Sequence, residues 1–157
     1  MAIQKVDGVD AYNNFPEKFI TVYSTTAVAT GDVVEIDFSA TRSPLQGTDA
    51  VGLSVKKATA SGNNPMACGV ASQTIAAAGY VQIQYAGFNA SCTCEAASGI
   101  TLGQFVGTDN TASGRVQAFS GTNRSDTADY FAVCVDAFTA NTADGAIIIF
   151  DKGYFNG

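Results

Sequence analysis

The chain has 157 residues, 46% of them hydrophobic and only 14% charged, a composition that excludes a disordered segment and fits one ordinary domain. Its net charge of −6 has the wrong sign for tracking a phosphate backbone or an anionic membrane, and the 8 basic residues form no stripe, so neither nucleic-acid nor membrane binding is expected. So weakly charged an exterior resists association poorly and suits a surface that ends up covered.

In chain order, residues 1–17 mix Asp, Asn and Gly with isolated apolar residues and end just past Phe15-Pro16, which predicts an extended N-terminal arm ahead of a β domain over residues 18–157. No stretch resembles the apolar core of a signal peptide and no run approaches the ~18 residues of a membrane span, so synthesis and retention in a cytoplasm are expected. From Lys18 onward, short apolar runs are punctuated by Gly, Asn, Asp and Ser, the rhythm of an all-β protein. A first strand is expected over Phe19–Tyr23. Next, Val34, Ile36 and Phe38 alternate with Glu35 and Asp37, predicting a half-buried strand with both carboxylates on its solvated face, roughly 7 Å apart.

Val51–Val55 and Met66–Ala71 are weaker candidates, followed by a clear alternation of Val81, Ile83 and Tyr85 with Gln82 and Gln84 between two glycines. Asn89–Glu95, Gln104–Val106 and Arg115–Phe119 come next. Phe131, Val133 and Val135 alternate with Ala132, Cys134 and Asp136, as in a strand buried on both faces. The last strand, Ala146–Phe150, follows Asp144-Gly145, a dipeptide that favours tight turns. Segments 41–49, 59–64 and 120–129 are loops by composition. The predicted fold class is all-β, a single-domain β-barrel or β-sandwich of short antiparallel strands with an extended N-terminal arm; alternation alone does not choose between barrel and sandwich.

The chain contains no histidine, which removes the commonest general base and every imidazole-based triad. Of the four cysteines, Cys92 and Cys94 are one residue apart and Cys68 and Cys134 are remote, a spacing unlike that of structural zinc sites; small buried hydrophobes are expected instead. Glu35 and Asp37 stand at a separation that glycosidases use, but a solvated strand face is the expected reading of an alternating polar pair. Asp7 and Asp10 lack the spaced oxygens of a calcium loop, and Asn89 and Asn123 head glycosylation patterns without a secretory signal. The chain is therefore expected to be no enzyme, with no catalytic residue, cofactor or metal. The remaining signal is aromatic: Tyr12 and Phe15 near the start, and Phe150, Tyr154 and Phe155 near the finish, expected as protein-contact residues toward a partner or toward the chain's own barrel.

A succession of segments from Lys18 onward resembles the head decoration, or capsid cement, proteins of tailed bacteriophages. These are Ala27-Val-Ala-Thr-Gly-Asp-Val-Val34, Cys68-Gly-Val-Ala71, Ile75-Ala-Ala-Ala-Gly-Tyr-Val-Gln-Ile83, Ala86-Gly-Phe88, Ile100-Thr-Leu-Gly-Gln-Phe-Val106 and Gly114-Arg-Val116, followed by two final strands. Their order carries the resemblance, because each alone occurs in many β proteins. Cys92-x-Cys94 and the 120–129 loop depart from the pattern. The resemblance implies a structural virion protein, assembled in a host cytoplasm and placed on the outer capsid surface. It would bridge major capsid subunits and pair with itself as a dimer or trimer, with no catalytic residue to carry over. The alternative is a non-enzymatic β-sandwich that recognises carbohydrate or a receptor on a virion fibre or cell surface. That would need exposed aromatics on one face, and the chain has no tryptophan.

Overall fold

A computed structural model describes residues 16–38, 54–60, 64–93, 99–119, 130–139 and 144–155. These residues contain nine strands and no helix: β1 (Lys18–Ser24), β2 (Val33–Ile36), β3 (Ser54–Lys57), β4 (Ala67–Ala71), β5 (Gly79–Thr93), β6 (Phe105–Thr108), β7 (Val116–Ala118), β8 (Ala132–Asp136) and β9 (Asp144–Ile149). The protein is all-β, as its alternation requires. Tyr12, Phe15, Cys94, loops 41–49 and 120–129 and most of the arm lie outside the described residues.

Strands β1, β3, β2, β4 and β5 pair in that order, and β5 pairs back with β1, closing a five-stranded barrel. Closure leaves these strands no free edge. One pair departs from the all-antiparallel expectation, since β1 and β3 run parallel. The barrel interior is filled by small and β-branched side chains, among them Val22, Val34, Ile36, Val55, Val81 and Ile83. Register explains how Cys68 joins them: Val34 opposes Gly69 while Glu35 opposes Ala67, so Cys68 is the extra residue of a bulge. Phe155 closes one end, its ring 5.3 Å from that of Tyr85.

Strand β5 outlasts the barrel. Its first half pairs with β1 and β4, and its second half pairs with β9, starting a second, antiparallel sheet in the order β5-β9-β8-β6-β7. The sequence pattern broke this strand in two at Gly87; the structure shows one strand of 15 residues. Gly87 has φ +90°, a conformation that side chains with a Cβ resist, so the strand bends there without ending. The inner face of the second sheet packs Val106, Ala132, Cys134, Ile147 and Ile149 against Val33, Ala67 and Val70 on the outside of the barrel wall.

That second layer corrects the reading of β2 and β8. All four residues of β2 are buried, Glu35 to 4% exposure, and Asp37 just after it to 8%, because one face lines the barrel and the other lies toward the second layer. Phe38, expected in the core, is 73% exposed, since the strand ends at Ile36 and the alternation with it. In β8 only one face is fully buried: Ala132 and Cys134 point inward, while Val133 and Val135 are half-buried on the outside. Asp144 and Gly145 begin β9 instead of forming a turn.

Candidate functional site

The Glu35–Asp37 pair is a structural network. Glu35 accepts hydrogen bonds from the Thr59 backbone N–H at 3.0 Å, the Thr59 hydroxyl at 3.2 Å and the Asn64 side-chain amide, and lies 3.3 Å from the Lys56 ammonium. Asp37 accepts from the Thr25 hydroxyl at 2.6 Å and lies 4.0 Å from the same Lys56. Asp32 accepts from the Ala29 N–H and pairs with Lys57, both through Oδ2, at 2.7 and 2.8 Å. Buried carboxylates need such partners. Cys68, Cys92 and Cys134 are buried, and desolvation raises the Cys68 and Cys134 thiols above their ordinary range. Among the described residues no cluster of His, Cys, Asp or Glu could hold a metal ion.

The distinctive surface is the outer face of the second sheet. Cross-strand partners share a face, and the register puts Phe105 opposite Val133, Val133 opposite Ile148, and Ile148 opposite Phe88. Phe119 extends the row, since its N–H donates to the Phe105 carbonyl. An apolar row therefore crosses four strands and reaches the residue that follows β7, on the side opposite the buried residues Val106, Ala132, Ile147 and Ile149. Aromatic rings gather along it: Tyr130 stacks on Phe105 at 4.4 Å and meets Phe119 at 5.5 Å and Phe150 at 5.9 Å. Phe105 is 46% exposed, and Leu102, in the turn before β6, is 60% exposed.

At the β5–β9 end the face runs into an open groove of about 390 Å³ lined by Pro16, Lys18, Gly87, Ile148, Phe150 and Asp151, among others. Lys18 and Asp151 form an ion pair of 2.8 Å beside it, and the carboxylate holds the Lys18 amine above its ordinary pKa.

Of the five expected contact residues, Phe150 belongs to this face. Tyr154 is half-buried, donates its hydroxyl to the Pro65 carbonyl at 3.1 Å, and has its pKa raised by burial. Phe155 lies inside the barrel at 8% exposure. Tyr12 and Phe15 lie outside the described residues. Sequence reasoning missed Phe105, Phe119, Tyr130 and Ile148. Strands β8 and β9 carry apolar residues at both parities, and that surplus over one core face was the available signal.

No family model matches the chain, and no curated protein matches it. Among solved structures it is similar to the N base of the head fiber gp8.5 in bacteriophage phi29, with a TM-score of 0.53 and 15% sequence identity over 86% of this chain and 95% of that one. At that identity the similarity is one of fold.

Proposed function

We propose that this chain is a non-enzymatic structural protein of a phage virion, seated on the outer capsid surface as a decoration or cement protein that bridges major capsid subunits. The observation that carries the reading is the fold shared, over nearly the whole of the other chain, with the base of a phage head fiber. The order of sequence segments described above points the same way. The row from Phe88 to Phe119, with Tyr130 and Phe150, supplies an uncharged aromatic surface for a capsid subunit. A stable bridge needs on the order of 1,000 Å² of contact, with repetition over the lattice adding avidity. Self-association as a dimer or trimer about a lattice axis belongs to the same reading. The engaged carboxylates and the lack of histidine support a role without catalysis.

The test is to mix the purified protein with matched capsids lacking it and to image both by electron cryomicroscopy. Added density on the outer lattice is expected with the native chain and lost with Phe105→Asp, whose retained fold is checked by circular dichroism. Absence of density under several salt conditions refutes the reading. Specific signal on a glycan array would then favour the recognition module.

A further inference from the structure

The barrel carries exposed aromatic rings of its own, on the wall that β1 and β5 share. The register runs from Lys18 opposite Ala86 to Ser24 opposite Gly79. Ile20, Val22, Val81 and Ile83 face the barrel core, so Phe19, Thr21, Tyr23, Tyr80 and Gln82 take the other side. At one end of the wall Tyr23 lies opposite Tyr80, their rings edge to face with centroids 5.5 Å apart. Thr21 opposite Gln82 comes next, and Phe19 stands at the far end opposite Gln84. Tyr80 is 49% exposed and Phe19 44%, with Thr21 and Gln82 exposed between them. The Ser72 hydroxyl, 2.9 Å from the Gln82 carbonyl oxygen and 3.2 Å from its Oε1, holds that amide in place.

The chemistry of the wall selects its ligand. No Asp, Glu, Lys or Arg occurs in residues 19–31 or 58–94, the segments that carry the wall and its flanking turns. A nucleic-acid strand also stacks on aromatic rings, but it needs cations along its backbone and finds none in these segments. Size and layout both disfavour a protein partner. Phe19 and Tyr23 stand about 13 Å apart on a wall two strands, or about 10 Å, wide. That area, on the order of 100–200 Å², is far short of the roughly 800 Å² per partner of a stable protein interface. A protein interface also places apolar anchors at its centre and polar groups at its rim, whereas here the polar pair is central and the rings are at both ends. A pyranose ring matches that order: its C–H faces stack on aromatic rings, and its rim of neutral hydroxyls exchanges hydrogen bonds with an amide or a hydroxyl.

We propose that the β1–β5 wall binds a neutral oligosaccharide, with one sugar stacked on Tyr80 beside Tyr23, another on Phe19, and the sugar between them hydrogen-bonded to Gln82 and Thr21. The wall lies on the barrel and the aromatic row on the second sheet, so this activity goes beyond the capsid reading and does not depend on it. It is tested on the isolated protein, so its failure and that of the capsid reading are separate.

The full chain, isotope-labelled for NMR, is titrated with maltotriose, cellotriose, chitotriose and the acidic control trigalacturonate, each to roughly 10 mM, while its backbone amide resonances are followed. At least one neutral trisaccharide is expected to shift resonances of residues 19–24 and 79–84, and trigalacturonate to shift none of them. Tyr80→Ala should weaken that binding about tenfold, with unchanged resonances in the second sheet as the check on its fold. Should that variant lose its fold, Phe19→Ala takes its place with the same expectation. No shift with any neutral sugar overturns the proposal. Shifts centred on other segments, equal shifts with trigalacturonate, or full affinity in the folded variant overturn it as well.

Discussion

Gly87 ties the barrel to the second sheet, and its replacement by alanine tests how rigidly. With φ at +90°, any residue bearing a Cβ is strained there by about 1–2 kcal/mol. The added Cβ would also lie 2.5 Å from the Pro16 carbonyl oxygen and 2.7 and 2.8 Å from Cα and N of Glu17. These are backbone atoms with no rotamer to escape into, so the segment must shift, at a cost of about 1–3 kcal/mol. Gly87→Ala is therefore expected to lose about 2–5 kcal/mol, a large share of the 5–15 kcal/mol typical of a domain. Gly103 is the control: its φ is +82°, but a Cβ there meets no atom within 4 Å, so Gly103→Ala should show only the conformational part, about 1–2 kcal/mol. Both are read from urea unfolding followed by circular dichroism, since the chain has no tryptophan. If the two variants agree to within about 0.5 kcal/mol, Pro16 and Glu17 yield freely and their backbone contact does not hold the strand at Gly87.

Glu35→Gln should fold but lose about 2–4 kcal/mol in the same assay, because a neutral amide presents an N–H to donors from Thr59 and Asn64 and leaves Lys56 half-paired. Cys68, Cys92 and Cys134 should resist iodoacetamide in the native protein and react once it is unfolded, as residue-by-residue mass spectrometry would show. Burial raises the Cys68 thiol well above its ordinary 9.0, so above pH 9 the unfolded chain ionises while the folded chain keeps its proton. Stability should accordingly be independent of this group below pH 9 and fall by about 1.4 kcal/mol per pH unit above it, and Cys68→Ala should remove that increment when unfolding is measured from pH 8 to 10.

The strands were legible wherever one face met a core and the other met solvent, as along Val81, Gln82 and Ile83; the alternation already fails at Gln84, which is buried. Period-two patterns fail where a strand is covered twice. In β2 a second layer buries Glu35, a residue type seldom found inside, and the four donor groups of Thr59, Asn64 and Lys56 make that tolerable. Gly87 looked like a break because a glycine within an alternating run signals either a bend or an end, and local sequence does not separate the two. The candidate site was legible only at Phe150. Phe105, Val133 and Ile148 become neighbours through register between strands far apart in sequence, which no local pattern encodes. Phe155, grouped with Phe150 by its place in the chain, folds back into the barrel against Tyr85.

The low charge of the chain acquires a physical meaning from where its cations sit. Among the described residues Lys18 pairs with Asp151, Lys56 with Glu35 and Asp37, and Lys57 with Asp32, while Lys152 donates to the Pro65 carbonyl. These cations satisfy carboxylates, three of them buried, and a turn carbonyl; none stands on the row from Phe88 to Phe119. Charges on an exposed sheet face ordinarily oppose association, and these four lysines are instead occupied in holding the barrel wall and the chain's own ends. The pairing that stabilises the barrel therefore also keeps these four lysines off the outer face, which is backed by a shared strand and two cores.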